Sequence, residues 1–155
     1  MRNTILSLAI VGLVLGGFST HTPKAQDKIN FEKEIWPFVK ASCAKCHLPS
    51  YKDERGRTKK PKAGLVVTNK EALMEGGEEG EVIVAGEPKK SEFLNRTLLP
   101  DGSDDQMPPE GKAEPWTKEQ KELFAKWIEQ GADFGDWTAD KEVEDDPGAA
   151  YEKLK

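Results

Sequence analysis

Cysteine and histidine are scarce in this chain: 155 residues carry two of each, with three methionines. A structural zinc usually takes four Cys or His ligands. His21 falls in the leader described below, so Cys43, Cys46 and His47 are the whole supply for the rest of the chain, which is too few. Apolar residues are also short, at 36% with aromatics at 8%, so side chains alone make a lean core. The one long apolar run, Ile5 to Phe18, is shorter than the roughly 20 residues a membrane-spanning helix needs. Acidic residues outnumber basic ones by 28 to 23, a formal net charge of −5. That balance disfavours nucleic acid and anionic membranes as partners. No grouping of general acid, general base and nucleophile is visible, which argues against catalysis by side chains alone.

What is present begins with a leader. Arg2 gives a positive start, Ile5 to Phe18 an apolar centre broken by Ser7 and small glycines, and Thr20 to Ala25 a small polar end. This pattern predicts a secretory signal peptide over residues 1–25, although it has no clean A-x-A cleavage site. An uncleaved anchor is the alternative, and the lack of a Cys at the end of the run argues against a lipoprotein. The expected location is the periplasm or another exported space, without stable membrane insertion after cleavage.

Cys43-Ala44-Lys45-Cys46-His47 is the most informative stretch. C-x-x-C-H reads as a c-type haem attachment site. Two thiols a helical turn apart suit two thioether bonds to the porphyrin, and the adjoining imidazole suits the iron. The competing readings are a disulfide or reactive dithiol, and zinc. A thioredoxin-like dithiol should follow a strand, whereas a helix is predicted before Cys43. A plain disulfide leaves His47 unexplained. A buried porphyrin would also supply the apolar surface the composition lacks, at about 25 cal/mol for each square ångström buried.

The rest of the chain reads as short helices and long loops. Asn30 is a good N-cap, Glu32 and Glu34 suit the first turn, and Phe31, Ile35, Phe38 and Val39 form an apolar stripe that Pro37 interrupts. Lys52, Arg55, Arg57, Lys59, Lys60 and Lys62 make the loop 52–62 the one basic stretch on an acidic chain. It reads either as a solvated insertion or as a docking site for an acidic redox partner. Lys70 to Glu75 is expected to be helical and to stop at Gly76-Gly77. Ser91 is expected to cap a helix that turns Phe93, Leu94, Leu98 and Leu99 inward. Arg96 on that helix is a candidate partner for a haem propionate, or else an exposed surface charge. Thr117 and Gln120 form a capping box ahead of Leu123, Phe124, Trp127 and Ile128, a helix that ends at Gly131. Beyond Trp137 the chain is strongly acidic and is expected to fray.

Met107 stands in a loop of Pro, Gly and Asp, followed by Pro108 and Pro109. Its thioether is a soft ligand suited to haem iron, and the prolines would stiffen the loop that holds it. Met1 lies in the leader, and Met74 sits on a short polar helix beside a turn. A second His ligand is not available. Met107 is therefore the candidate distal ligand; a Lys, a water or an open position are the alternatives.

The order of these pieces resembles the planctomycete-type cytochrome c domain, a small monohaem c-type cytochrome. Ile35-Trp36-Pro37 precedes the C-x-x-C-H run. Ala63-Gly64-Leu65, Gly76-Gly77, Val84 to Pro88 and Ser91 to Arg96 follow. Met107-Pro108-Pro109 comes next, and Trp127-Ile128 through Gly131-Ala132 closes the set. The resemblance runs from about Ile35 to Ala132. It implies an exported domain with one haem c and His/Met ligation, carried here by His47 and Met107. This chain departs in having Leu48 where a Gly often follows the His and in the basic loop, and it is expected to stand apart from the large secreted partner to which the domain is often fused.

The expected architecture is mostly α and cytochrome c-like. N- and C-terminal helices pack around one covalently bound haem, with long loops. Residues 27–135 form the domain and 136–155 an acidic tail. Cys43 and Cys46 anchor haem c, His47 is the proximal ligand, Met107 the distal ligand, and Arg96 a possible propionate contact. The expected function is to carry single electrons between exported redox partners, without enzymatic activity of its own. Two other classes stay open: a peroxidase- or reductase-like haem enzyme, and a gas-binding haem sensor, each with a displaceable methionine.

Overall fold

The computed structural model describes residues 27–154; the expected signal peptide lies outside them. The first helix, α1, covers residues 31–44 in three parts: a π-helical turn over Phe31–Ile35, an α-helical turn over Trp36–Val39 and a second π turn over Lys40–Ala44. Asn30 caps it by accepting from the Lys33 N–H at 2.9 Å, and Glu34 reaches back to accept from the Asn30 N–H at 2.7 Å. Pro37 has no N–H, and its ring crowds the preceding turn. The helix accommodates it by widening just ahead, where the Trp36 N–H donates five residues back to the Phe31 carbonyl.

A two-stranded antiparallel hairpin follows, β1 (Tyr51–Lys52) and β2 (Thr58–Lys59), with Tyr51 opposite Lys59. It is the only sheet among the described residues. Asp53 folds its turn by accepting from the N–H groups of Arg55 and Arg57 and from the Arg57 side chain at 2.8 Å. The Arg57 side chain holds the Asp53 carboxyl down at about 2. Next come α2 (Lys70–Glu75), capped by Asn69, then α3 (Glu92–Leu98) and α4 (Lys118–Glu129). The Thr117–Gln120 capping box on α4 forms in both directions, as the sequence predicts.

The core is an aromatic wedge between α1, α4 and the segment after α4. The Phe31 ring lies 5.0 Å from Trp127, 4.5 Å from Phe134 and 4.7 Å from Trp137. Phe124 continues the wedge to Phe93 and Trp116, and Trp116 meets Phe38 edge-on at 4.7 Å. Each such pair adds about 0.5–1.5 kcal/mol beyond the area it buries.

Three expectations are corrected. Leu98 is 55% exposed. The buried face of α3 is Phe93, Leu94 and Thr97, and the helix stops at Leu98 before another element covers it. Ser91 stands at the N-cap position of α3, as expected, but its side chain does not make the capping bond. Its hydroxyl is fully buried, accepts from the Val84 N–H at 2.9 Å and donates to the Glu87 carbonyl at 3.1 Å, tying the 84–87 turn to the helix. The chain beyond Trp137 does not fray among the described residues. It forms α5 (Lys141–Asp145) and α6 (Pro147–Lys153), capped by Asp140 and Asp146, and buries Val143 and Ala150. Asp140 is the anchor. Its carboxylate accepts from Trp36 Nε1 at 3.0 Å and from Lys40 Nζ at 2.7 Å. An acidic segment reads as unstructured from composition alone, but here its acids are caps and ion-pair partners for α1.

Candidate functional site

The last turn of α1 carries the C-x-x-C-H residues out of the core. Ala44 is fully buried, which presses the turn against the protein and leaves Cys43, Cys46 and His47 partly exposed on its other side. The turn closes on itself: the Cys46 N–H donates to the Cys43 carbonyl at 3.1 Å, and the His47 N–H to the Ala44 carbonyl at 3.0 Å. Two further strands of chain clamp it. The Lys62 N–H donates to the Cys46 carbonyl at 3.0 Å, and the Val67 N–H to the His47 carbonyl at 3.1 Å.

His47 Nδ1 lies 3.2 Å from the Leu65 carbonyl. A carbonyl can only accept, so Nδ1 carries the proton and Nε2 keeps its lone pair. Burial holds the imidazole below its usual 6.5, although backbone interactions at Leu65 and Lys62 act the other way. A neutral imidazole oriented through Nδ1 is the form in which histidine binds a metal. Burial pushes the Cys43 thiol up to about 12, and the neighbouring Cys46 adds to it.

Two clefts open on this turn. One, of about 700 Å³, runs between Cys43, Cys46 and His47 and the loop from Met107 to Pro115, with Leu154 at its rim. The other, of about 410 Å³, lies between the 77–82 turn, α3 and the same turn of α1. Cys43, His47 and Met107 line both, so the two clefts are the flanks of one trough. Each falls within the roughly 300–1,000 Å³ usual for a small-molecule or cofactor site. Met74 packs against the core and lines neither. Among the described residues, no three or more His, Cys, Asp or Glu side chains gather as they would around a metal ion.

Loops wall the trough, and backbone contacts hold them. The Met107 N–H donates to the Arg96 carbonyl at 3.0 Å, which ties the loop to α3. Gln106 is buried; it accepts from the Gly102 N–H at 2.9 Å and donates to Asp101 at 3.1 Å. Opposite, the Glu78 N–H donates to the Ala63 carbonyl at 2.8 Å. Gly77 allows that approach, since a Cβ there would stand 2.6 Å from the Ala63 carbonyl oxygen. Gly76 has φ +90°, and a Cβ would stand 1.9 Å from the Gly80 carbonyl oxygen.

Arg96 lines the second cleft. Its guanidinium is shared among Glu92 at 3.0 Å, Asp105 at 3.5 Å and Glu79 at 3.8 Å. A carboxylate brought by a cofactor would compete there with three from the protein. Sequence reasoning missed Gln106, the Leu65 carbonyl and Leu154. Gln106 lies in the Met107 loop and Leu65 in the Ala63-Gly64-Leu65 segment, both of which the sequence singled out, but neither an amide that braces a loop nor a carbonyl is marked by residue identity.

The donor set fits haem c. It offers two thiols one turn apart, an imidazole with a free Nε2, and a thioether on the same trough. The chain matches the family described as planctomycete cytochrome C over residues 43–111. The match starts at the first cysteine of the motif and takes in the 63–65 and 76–80 segments, α3 and Met107. It is shorter than the stretch from Ile35 to Ala132 over which the pieces resemble that domain. No curated protein and no solved structure matches the chain. No helix among the described residues is long and apolar enough to cross a membrane.

Proposed function

We propose that this chain, which carries a planctomycete-type cytochrome c domain, is an exported monohaem electron carrier with a cytochrome c-like fold and His/Met ligation. The observation that carries the reading is that Cys43, His47 and Met107 all line the same two clefts. Cys43 and Cys46 would hold the haem through thioethers, His47 would offer Nε2 to the iron, and Met107, which lines the same clefts, would offer its sulfur. Bound haem c supplies a one-electron couple, and Met/His ligation raises its potential. The residues contribute stiffness. His47 sits on backbone fastened at both its N–H and its carbonyl, and the Met107 N–H is fastened to the Arg96 carbonyl, so both ligands would stay in place when the charge changes.

A partner with an acidic surface suits the basic hairpin. Arg55, Lys60 and Lys62 are exposed and have no ion pair among the described residues, and Lys62 is bonded through its backbone to Cys46. Such a charge steers an acidic protein toward the edge of the trough.

The test is an optical spectrum of the haem-loaded protein and of Met107→Ala, with and without carbon monoxide. The expected wild-type result is a low-spin spectrum with a far-red sulfur-to-iron band, indifferent to carbon monoxide, with the band lost in the variant. A high-spin ferric spectrum or rapid carbon monoxide binding in the wild type would sink the carrier reading in favour of a haem enzyme or gas sensor.

A further inference from the structure

We infer that Arg96 is a positioning residue for Met107, a clasp that fastens the ligand loop to α3 and to the facing turn. This rests on the reading of Met107 as an iron ligand and adds the device that holds it. Arg96 touches the loop twice. Its carbonyl accepts from the Met107 N–H at 3.0 Å, and its guanidinium pairs with Asp105, two residues before Met107, at 3.5 Å. Through Glu79 at 3.8 Å it also reaches the 77–82 turn on the other side of the second cleft. Glu92, one turn earlier on the same helix, sets the guanidinium by accepting from Nε at 3.0 Å.

The charges explain why an arginine stands here. Glu79, Glu92 and Asp105 converge on one guanidinium, which alone offers several donors in a fixed fork. Without it three carboxylates would face one another across the mouth of the cleft and push its walls apart. The Asp105 and Glu79 side chains are 75% and 90% exposed, so each contact alone is weak. The three together act on one short loop, whose other brace is Gln106.

The clasp differs from a propionate contact in what it demands of Asp105. If Arg96 served a propionate, neutralising Asp105 would free the guanidinium for it and leave the ligand loop undisturbed. If Arg96 is the clasp, Asp105→Asn and Arg96→Gln loosen the same loop, Arg96→Lys restores part of the loss, and Glu92→Gln, which crosses no gap, does little. The haem-loaded variants are compared by the far-red band, by the rate of carbon monoxide binding to the ferrous form, and by hydrogen exchange at the Met107 amide. The expected result is a weakened band, with carbon monoxide binding and amide exchange each faster by about two- to fivefold in Asp105→Asn and Arg96→Gln. An unchanged Asp105→Asn would overturn the clasp. A wild type with no far-red band would instead overturn the ligand reading, and amide exchange would still show whether Arg96 and Asp105 hold the loop.

Discussion

The two ends of α1 are held in opposite ways. At its start, Phe31 and Trp36 sit among rings, and the contacts are made by area: Phe31 is 1% exposed and meets three aromatic neighbours. At its end, Cys43, Cys46 and His47 face a trough walled by loops and by α3, and the contacts are single hydrogen bonds from backbone groups at Lys62, Leu65 and Val67. The first end provides stability and tolerates little change. The second provides placement, with Cys43, Cys46, His47 and Met107 half-buried along a trough. A lean composition is thereby divided: the aromatics are concentrated at one end so that the other can be left open for a large apolar group.

The comparison breaks most easily at the aromatic end. Phe31→Ala is expected to cost about 3–5 kcal/mol, read as a fall in the denaturant midpoint at unchanged slope. A loss under about 1 kcal/mol would mean that the wedge is not what holds α1. The same measurement on Met107→Ala should move the midpoint of haem-free protein far less, because Met107 lines a cavity and fills no core.

Asp140 gives the next largest effect. Asp140→Asn keeps an acceptor but loses the charge that meets Lys40, at an expected cost of about 1–3 kcal/mol. Burial pushes this carboxyl up, and the bonds from Lys40, the Val143 N–H and Trp36 outweigh it, so it titrates below its ordinary 3.8. A depressed folded value makes the contribution complete above 3.8 and lost as the pH falls below it. The difference between wild type and variant should therefore be full at neutral pH and shrink in that acid range. A difference independent of pH would show that the charge plays no part.

The smallest effect on the fold is expected at the hairpin. Lys60→Glu with Lys62→Glu should change stability by less than about 0.5 kcal/mol, as for exposed positions generally. With haem bound, oxidation by hexacyanoferrate at low salt should slow by about tenfold while reaction with a cationic ruthenium hexaammine quickens. Equal rates in wild type and variant would remove the hairpin from the electron path.

Much of this molecule is set by local sequence. The Asn30, Asn69 and Thr117 caps, the helix stops at Gly76 and Gly131, and the C-x-x-C-H turn all follow from a few neighbouring residues, because a cap or a turn is closed by groups three or four positions apart. The C-x-x-C-H donor group was legible for the same reason: two thiols and an imidazole within five residues need no distant partner to be recognised. What only the tertiary structure decided depends on residues far apart in the chain. Asp140 lies 104 positions from Trp36, and it turns an acidic segment that reads as loose into two docked helices. Leu98 is exposed because nothing among the described residues covers it, and the Ser91 side chain is turned from the cap to the 84–87 turn. Arg96 is gathered in by Glu79 and Asp105, from loops on either side, and Leu65 is chosen for its carbonyl. Backbone groups are alike at every position, so which of them meets a given side chain is settled only when the chain has folded.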